Sequence, residues 1–480
     1  MKALWEGQVF PIRLLGFGFY WAWLFLVTLS PSPILGSVVF RGLPAEVIEL
    51  LFRLLFVVVF LAFSTKLSTQ SGRSLLLVIC CVVGPVSTSM LFALLESSAS
   101  IAAISAIALV DAALFVLWLC FFGHMKVGET ALYMALSYCI GGGVCLAIQT
   151  LGGTYATTAT LMLPAVSGAM FHLSNKYYST ETGDAELFSD DAAEREKDAK
   201  PYRYLDRLGF ALVFVAFAFG STSSCLYQGF AESLLAGAQI ESICCLALAV
   251  ARIAIIATTK QAQDLCSLYK GAPVLLAPGL MLLAFPQKEM TTIGVALINM
   301  GYLLFEIAAL NDYCIAAKSR NLPPMKTFCQ ARISITIGIL LGWVAGIIVQ
   351  ACNVENPLLV ITTIAIAAVV MTPTMIFTEK EIFSARNVAE VQELAERAES
   401  RTGAEDQESL RIETFAAHYK LSARETEILA QMLRGRSAAR IAEQLFIAPG
   451  TVKTHTHNIY TKVNVHNKME LIDAFEEFEC

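Results

Sequence analysis

Long apolar runs, separated by short polar stretches, fill the first 377 residues. A run of about 18 apolar residues is long enough for an α-helix to cross a bilayer, where lipid cannot pair an open backbone amide. The chain has twelve such runs, near residues 12–29, 46–63, 75–95, 99–122, 131–150, 155–173, 206–228, 238–258, 272–286, 291–311, 331–351 and 357–377. The pattern predicts an all-α, polytopic bundle of about 12 transmembrane helices.

The distribution of Lys and Arg tests this number of helices and sets the orientation. With the N-terminus inside, 17 of these residues, Arg332 among them, fall in cytoplasmic segments, and only Arg41 and Lys288 fall outside. Positively charged loops tend to stay cytoplasmic during insertion, so the bias favours an even number of helices. We therefore expect a multi-pass protein of the cell (cytoplasmic) membrane, with both termini in the cytoplasm. The first run lacks a cleavage pattern and is expected to be retained.

A polar, charged stretch at residues 174–205 divides the helices into two groups of six, in halves 1–173 and 206–377. Six helices, a charged cytoplasmic loop and six more helices resemble the layout of the major facilitator superfamily. The resemblance implies two halves related by an axis along the membrane normal. Ser71-Gly72-Arg73 stands where that family has a Gly- and Arg-rich loop.

Four ionisable residues fall inside the predicted membrane helices: Arg53, Asp111, Arg252 and Glu306. Charges are expensive in lipid, so they are candidate ligand-sensing residues for an unknown small molecule. They lie on the second and fourth helices of one half and on the equivalent helices of the other. Each half can therefore hold one ion pair that faces a central cavity. The alternative is that the charges pair only to avoid being buried alone.

The first helix carries a cluster of aromatic residues: Phe17, Phe19, Tyr20, Trp21 and Trp23. They either line a ligand pocket, or face lipid and pack the bundle.

The composition changes after residue 377. Residues 378–480 carry 31 charged side chains in 103 positions, whereas the first 377 residues carry 43. The tail is thus typical of a water-soluble domain. Residues 378–410 are acidic and rich in helix formers, which predicts a helical linker. It is either a coiled-coil element that transmits a signal or a solvated tether.

Residues 411–480 form a pattern of four short helices. Ser422 and Glu425 have the spacing of a capping box, and an apolar face follows it. Ser437 can cap a second helix, and Pro449 suits the first turn of a third. The third helix, from Thr451 to Lys462, has an opposite face that is polar and basic. The charged residues between Arg434 and Lys468 are six basic side chains and one acidic side chain, Glu443, which is typical of nucleic-acid binding.

The tail carries a series of short motifs at fixed spacing: Leu421-Ser422, Glu425, Gly435, Ile441-Ala442-Glu443-Gln444-Leu445, Thr451-Val452-Lys453-Thr454-His455 and Asn458-Ile459-Tyr460. These motifs resemble the DNA-binding domain of LuxR-type transcription regulators. The resemblance implies a four-helix helix-turn-helix domain whose third helix enters the major groove of DNA. It implies base contacts by Lys453, Thr454 and His457 and phosphate contacts by Asn458, Lys462 and Thr451. Thr461 shares their face.

Two positions depart from the LuxR pattern. Arg440 stands where the family has an acidic residue, and Ala448 stands where it has Ser or Thr before the third helix. Each lost cap costs about 1 kcal/mol. Arg440 becomes a candidate phosphate contact instead.

These features predict a membrane-embedded one-component transcription regulator, without enzymatic activity, cofactor or metal. Its expected partners are double-stranded DNA, the lipid bilayer, a small-molecule ligand and a second copy of the chain on a two-fold DNA site. The alternative function is a secondary transporter with a DNA-binding or protein-binding regulatory tail.

Overall fold

The computed structural model describes residues 15–29, 39–40, 43–94, 100–125, 127–181, 203–229, 242–251, 265–285, 287–320, 322–352, 356–376, 411–412, 414–433, 436, 440–442, 445 and 448–476. The chain separates into two compact units, Met1–Ala389 and Glu390–Cys480. The predicted linker at 378–410 and the candidate residue Arg252 lie outside the described residues.

Each of the twelve predicted apolar runs coincides with a helix of the first unit. The helices are α1 Gly16–Leu24, α2 Ala45–Ala62, α3 Gln70–Ala93, α4 Ser100–Phe122, α5 Val127–Leu151, α6 Gly153–Glu181, α7 Arg203–Gly229, α8 Ser242–Ala251, α9 Leu265–Leu282, α10 Lys288–Ser319, α11 Pro324–Ala351 and α12 Pro357–Ile376. Within the described residues, six helices are long and apolar enough to cross a membrane. The apolar helical stretches of α1, α8, α9 and α12 are shorter, at 10–17 residues.

Smaller elements join or distort these helices. A π-helical segment, Phe25–Leu29, follows α1. The strands β1 Val39–Phe40 and β2 Leu43–Pro44 pair antiparallel just before α2. A single helical turn, Ser64–Leu67, precedes α3. Prolines lie inside α3, α6 and α9, where each removes one backbone hydrogen bond.

The helices pack as two bundles that meet along two seams. In the first half, α1 packs against α5 and α6, and α3 packs against α4 and α6. In the second half, α7 packs against α11 and α12, and α9 against α10. The halves contact each other where α2 meets α11 and where α5 meets α10. Residues on α4 and α11 that face these seams can therefore connect the halves.

Two glycines bring α11 close to α7. A Cβ atom added at Gly338 would lie 2.5 Å from the Val213 carbonyl oxygen, and one at Gly342 would lie 2.4 Å from that of Phe217. Small residues four positions apart let two helices approach closely in a membrane. This packing fixes the position of α11, which carries Arg332.

The aromatic cluster of α1 packs inside the first half. Phe17, Tyr20, Trp21 and Trp23 are buried, and only Phe19 is partly exposed. The indole nitrogen of Trp23 donates to the Thr88 hydroxyl at 3.1 Å. Burial of these four rings places them inside the bundle and excludes contact with lipid.

The tail has its own hydrophobic core. It contains α13 Ala423–Leu433, α14 Pro449–Val463 and α15 Lys468–Glu476, with further helical residues at 414–418 and 440–442. The helical residues at 414–418 were not predicted. They contribute Phe415, which is fully buried against this core.

Candidate nucleic-acid interface and buried charge cluster

The capping box at the start of α13 is formed. The backbone N–H of Ser422 donates to Glu425 Oε2 at 2.7 Å, and the backbone N–H of Glu425 donates to Ser422 Oγ at 3.3 Å. Without these two bonds, both backbone N–H groups would lack a hydrogen-bond acceptor at the helix start. The box fixes α13, whose residues Ile428, Leu429 and Met432 are buried in the tail core.

Packing against this core decides which face of α14 is exposed. Val452, Ile459 and Val463 are buried, at 0%, 0% and 6% exposure. The opposite face is open to solvent and carries seven of the eight predicted DNA-binding residues: Thr451, Lys453, Thr454, His457, Asn458, Thr461 and Lys462. The eighth, Arg440, is exposed on the helical segment 440–442. The structure therefore places all eight side chains at the surface.

The threonine hydroxyls on this face are bonded to their own helix. Thr454 Oγ1 donates to the Gly450 carbonyl at 3.1 Å, and Thr461 Oγ1 donates to that of His457 at 2.9 Å. Each hydroxyl oxygen keeps lone pairs that can accept a further hydrogen bond. His455, on the same helix, is half-buried.

Lys462 makes hydrogen bonds within the tail that the sequence pattern does not predict. Its Nζ donates to Glu425 Oε2 at 2.7 Å and to the Lys420 carbonyl at 3.1 Å. An ammonium group has three donors, so one remains for a phosphate. Burial raises the pKa of Glu425, but the hydrogen bonds from Lys462 and Ser422 outweigh it and hold the pKa below its ordinary value. Lys462 thereby ties α14 to the start of α13.

The two ends of α14 differ in how they are capped. Ala448 is the N-cap residue and offers no side-chain hydrogen bond, while Pro449 occupies the first turn. Asn464 ends the helix in the left-handed region with φ 63°, and its N–H donates to the Tyr460 carbonyl. The N-terminal amides of α14 therefore lack a side-chain cap, and amides at a helix N-terminus suit an anion such as phosphate.

A buried charge cluster joins the two halves of the membrane unit. Asp111 on α4 accepts from both Arg53 Nε on α2 and Arg332 Nη2 on α11, each at 2.7 Å. Arg53 also pairs with Glu49 one turn earlier on α2, with Nη2 to Oε2 at 2.7 Å. All four side chains are 5% exposed or less. The pairing of Arg53 with Asp111 agrees with the predicted ion pair of the first half.

Arg332 is the residue that sequence reasoning placed wrongly. It was assigned to a cytoplasmic segment, but α11 begins at Pro324, so Arg332 lies two turns inside the helix and is 1% exposed. It also donates to Tyr20 Oη at 3.1 Å, and its guanidinium lies 4.3 Å from the Phe115 ring centroid. The pair Pro323-Pro324 is a sequence signal for a helix start, and it predicts a helix that already includes Arg332.

Glu306 on α10 lies outside the ion-paired cluster. It is 2% exposed and accepts hydrogen bonds from Tyr302 at 3.1 Å and from Tyr138 at 3.4 Å. Its predicted partner, Arg252, is outside the described residues, so the second predicted ion pair stays a prediction.

Comparison with known proteins agrees with the geometry of the tail. Residues 419–475 match the family "Bacterial regulatory proteins, luxR family". The tail is a LuxR-type DNA-binding domain. A Mycobacterium tuberculosis protein, the probable transcriptional regulatory protein NarL, is 46% identical over 48 residues, which are 10% of this chain and 22% of that protein. The chain thus spans about a fifth of that relative's length.

The membrane unit is similar to solved transporter structures. The human organic anion transporter MFSD10 (TETRAN) superposes with a TM-score of 0.53 and 12% identity, covering 76% of this chain and 100% of that chain. The major facilitator superfamily transporter FucP, in its outward conformation, gives a TM-score of 0.50 and 12% identity, covering 76% of this chain and 99% of that chain. At this identity the likeness shows the fold. The chain is therefore a multi-pass membrane protein of major-facilitator-like fold with a LuxR-type domain at its C-terminal end.

Proposed function

We propose that this protein is a membrane-embedded, one-component transcription regulator. The LuxR-type domain binds promoter DNA in the cytoplasm, and the membrane unit senses a ligand or a state of the membrane. The observation that carries the proposal is the exposed polar face of α14, which presents Lys453, Thr454 and His457 on a domain with its own packed core. Both termini of the chain lie in the cytoplasm in this proposal, as the charge bias of the loops favours.

The residues of the α14 face fall into two roles. Lys453, Thr454 and His457 contact base edges, where a well-placed pair discriminates bases by about 1–3 kcal/mol. Asn458, Thr461, Lys462, Thr451 and Arg440 contact the phosphate backbone, which positions the helix without reading sequence. Lys462 has one donor left for this purpose once Glu425 and Lys420 are satisfied. Two chains bind half-sites about 10 base pairs apart, because DNA presents the same face at that interval.

The buried charge cluster is the proposed link between the membrane unit and its signal. Asp111 belongs to the first half and Arg332 to the second, and they share a contact at 2.7 Å. A ligand that binds the two halves differently shifts the equilibrium between their arrangements. In this proposal, Arg53, Asp111 and Glu306 respond to the ligand, and the change reaches the tail through the intervening segment.

The test is DNA binding by the full-length protein in lipid nanodiscs. A random duplex pool at two salt concentrations supplies the preferred site, which is then titrated against wild type, Lys453→Ala and Lys468→Ala. The last variant removes one positive charge from α15 instead of α14. We expect Lys453→Ala to weaken binding by about 1–3 kcal/mol and the control to change it less. Equal affinities for all three proteins would contradict the proposal.

Transport is the second candidate, favoured by the major-facilitator-like fold of the membrane unit. A transporter whose tail binds only a protein would show no selective DNA affinity in the same titration. A transporter with a DNA-binding tail would keep that affinity and also accumulate its ligand in proteoliposomes. Loss of accumulation in Asp111→Asn would then identify the charge cluster as part of the transport path.

A further inference from the structure

Glu306 on α10 is a buried carboxyl group without an ion-pair partner among the described residues. The neighbouring cluster contains two carboxylates, Glu49 and Asp111, and two guanidinium groups, Arg53 and Arg332, so its charges balance. Within the described part of the chain, Glu306 contacts two phenol hydroxyls and no basic side chain. A buried carboxylate without a cation costs several kcal/mol. A positive charge beside Glu306 would therefore be stabilised.

Four aromatic rings accompany this carboxylate. Tyr138 and Tyr302 both hydrogen-bond to it, and each ring packs against another: Trp21 lies 4.6 Å from Tyr138, and Phe219 lies 4.4 Å from Tyr302, measured between ring centroids. All four side chains are at most 7% exposed. They come from α1, α5, α7 and α10, two helices of each half. The faces of aromatic rings attract ammonium groups, most strongly where water is excluded.

The indole of Trp21 adds a polar group to this arrangement. Its Nε1 atom is buried and has no hydrogen-bond partner among the described residues. A buried N–H without an acceptor costs free energy that a ligand oxygen or a water can recover. The group thus offers one hydrogen-bond donor beside the aromatic rings, to a water or to a ligand that carries an acceptor.

We infer that Glu306, Trp21, Tyr138, Tyr302 and Phe219 form a recognition site for a small organic cation of the amine class. The inference rests on the proposed function and names the ligand class of the sensing site. The carboxylate pairs with the ammonium group, and the rings enclose the adjacent carbon atoms. A neutral ligand leaves the charge of Glu306 unbalanced, and an anionic ligand is repelled by it. Because the rings come from both halves, the cation binds best when the halves enclose it.

The test uses three ligands of similar size and different charge on the full-length protein in nanodiscs. Benzylammonium, benzyl alcohol and benzoate each carry one aromatic ring and differ in the group attached. Binding is followed by isothermal titration calorimetry. We expect benzylammonium to bind at least tenfold more tightly than the other two. Benzyl alcohol or benzoate binding as tightly as benzylammonium, or no benzylammonium binding at 10 mM, would overturn the inference.

Variants on α10 separate a specific site from general packing. Glu306→Gln keeps the size of the side chain and its contacts with the tyrosines but removes the charge, and we expect at least a tenfold loss of benzylammonium affinity. The matched control is Asp312→Asn, since Asp312 is also buried on α10 and accepts from two tyrosines, Tyr204 and Tyr269. That variant should change the affinity less than twofold. Equal losses in both variants would contradict the assignment.

This measurement does not depend on DNA, so its failure can be told apart from failure of the proposed function. Selective DNA binding without cation binding would reject the amine site and keep the regulator. Cation binding with no DNA affinity would reject the regulator and keep the site.

Discussion

At the scale of single residues, the two units use charge in opposite ways. In the tail, charged side chains on α14 are exposed and available to a partner, and Lys462 also stabilises the buried carboxylate of Glu425. In the membrane unit, Asp111 is fully buried and paired with guanidinium groups from α2 and α11. Water and salt screen the exposed charges of the tail. The buried charges of the membrane unit are stable only because each has an oppositely charged partner.

Replacing Lys462 by Met should make the free energy of unfolding of the tail change less with pH in the acidic range. The depressed pKa of Glu425 contributes stability that is present above the unfolded value and is lost as the pH falls through the lower, folded value. Without Lys462 that contribution shrinks, so the variant should be less stable by about 1 kcal/mol near neutral pH. The difference should narrow below about pH 4, where the carboxyl is protonated in the unfolded state. Urea unfolding of residues 390–480 at a series of pH values measures it, and a gap that stays constant down to pH 2 would refute the assignment.

Replacing Arg332 by Met should destabilise the membrane unit. The substitution leaves Asp111 with Arg53 as its remaining guanidinium partner, and removing one member of a buried pair typically costs about 3–5 kcal/mol. Thermal unfolding in a mild detergent detects the loss. Lys326→Met is the control, because Lys326 lies on the same helix but is half-exposed. Similar midpoints for both variants would mean that the buried pair adds no stability.

At the scale of elements, the two ends of α14 show where the sequence departs from an ideal helix. The C-terminal end is closed by Asn464 in the left-handed region, where Asn is among the tolerated residues. The N-terminal end begins at Ala448, in extended conformation with ψ 144°, and has no side-chain acceptor for the first amides. The backbone N–H groups of Thr451 and Val452 donate to the Ala448 carbonyl instead, at 2.9 and 3.3 Å, so the missing side-chain cap costs stability without leaving these two amides unbonded.

Replacing Ala448 by Ser should therefore stabilise the tail by about 1 kcal/mol. The extended backbone at this position already suits a capping hydroxyl. The matched control, Ala417→Ser, places the same change in an exposed helical position and should destabilise by about 0.5 kcal/mol. Chemical denaturation of residues 390–480 measures whether each substitution raises or lowers the free energy of unfolding. Destabilisation by both substitutions would show that Ala448 is not a cap position.

At the scale of the whole molecule, the chain combines two units with separate hydrophobic cores. The core of the tail is built from residues between Ile412 and Phe475, and the membrane unit has its own buried clusters. The halves of the membrane unit are connected by packing of α2 on α11 and α5 on α10, and by the ion pair between Asp111 and Arg332. A signal that rearranges the halves must break or exchange these contacts.

The isolated fragment 390–480 should fold cooperatively without the membrane unit. Its core residues all lie within the fragment, so the hydrophobic stabilisation is retained. We expect one thermal transition by circular dichroism, and the same transition in the full-length protein. Absence of a transition in the fragment, with the full chain folded, would show that the membrane unit is needed for the fold of the tail.

The sequence by itself determined the helices and the identity of the tail. Hydrophobic runs predict membrane helices directly, because the bilayer allows few other spanning structures. The LuxR-type motifs consist of helix caps and core positions that lie close together in the chain, so the sequence alone identifies them. Only the tertiary structure decided which buried polar groups meet across the two halves. The contact of Arg332 with Asp111 joins residues 221 positions apart, and that of Glu306 with Tyr138 joins residues 168 apart. No local pattern encodes such pairs, since they depend on how α11 and α10 pack against the first half.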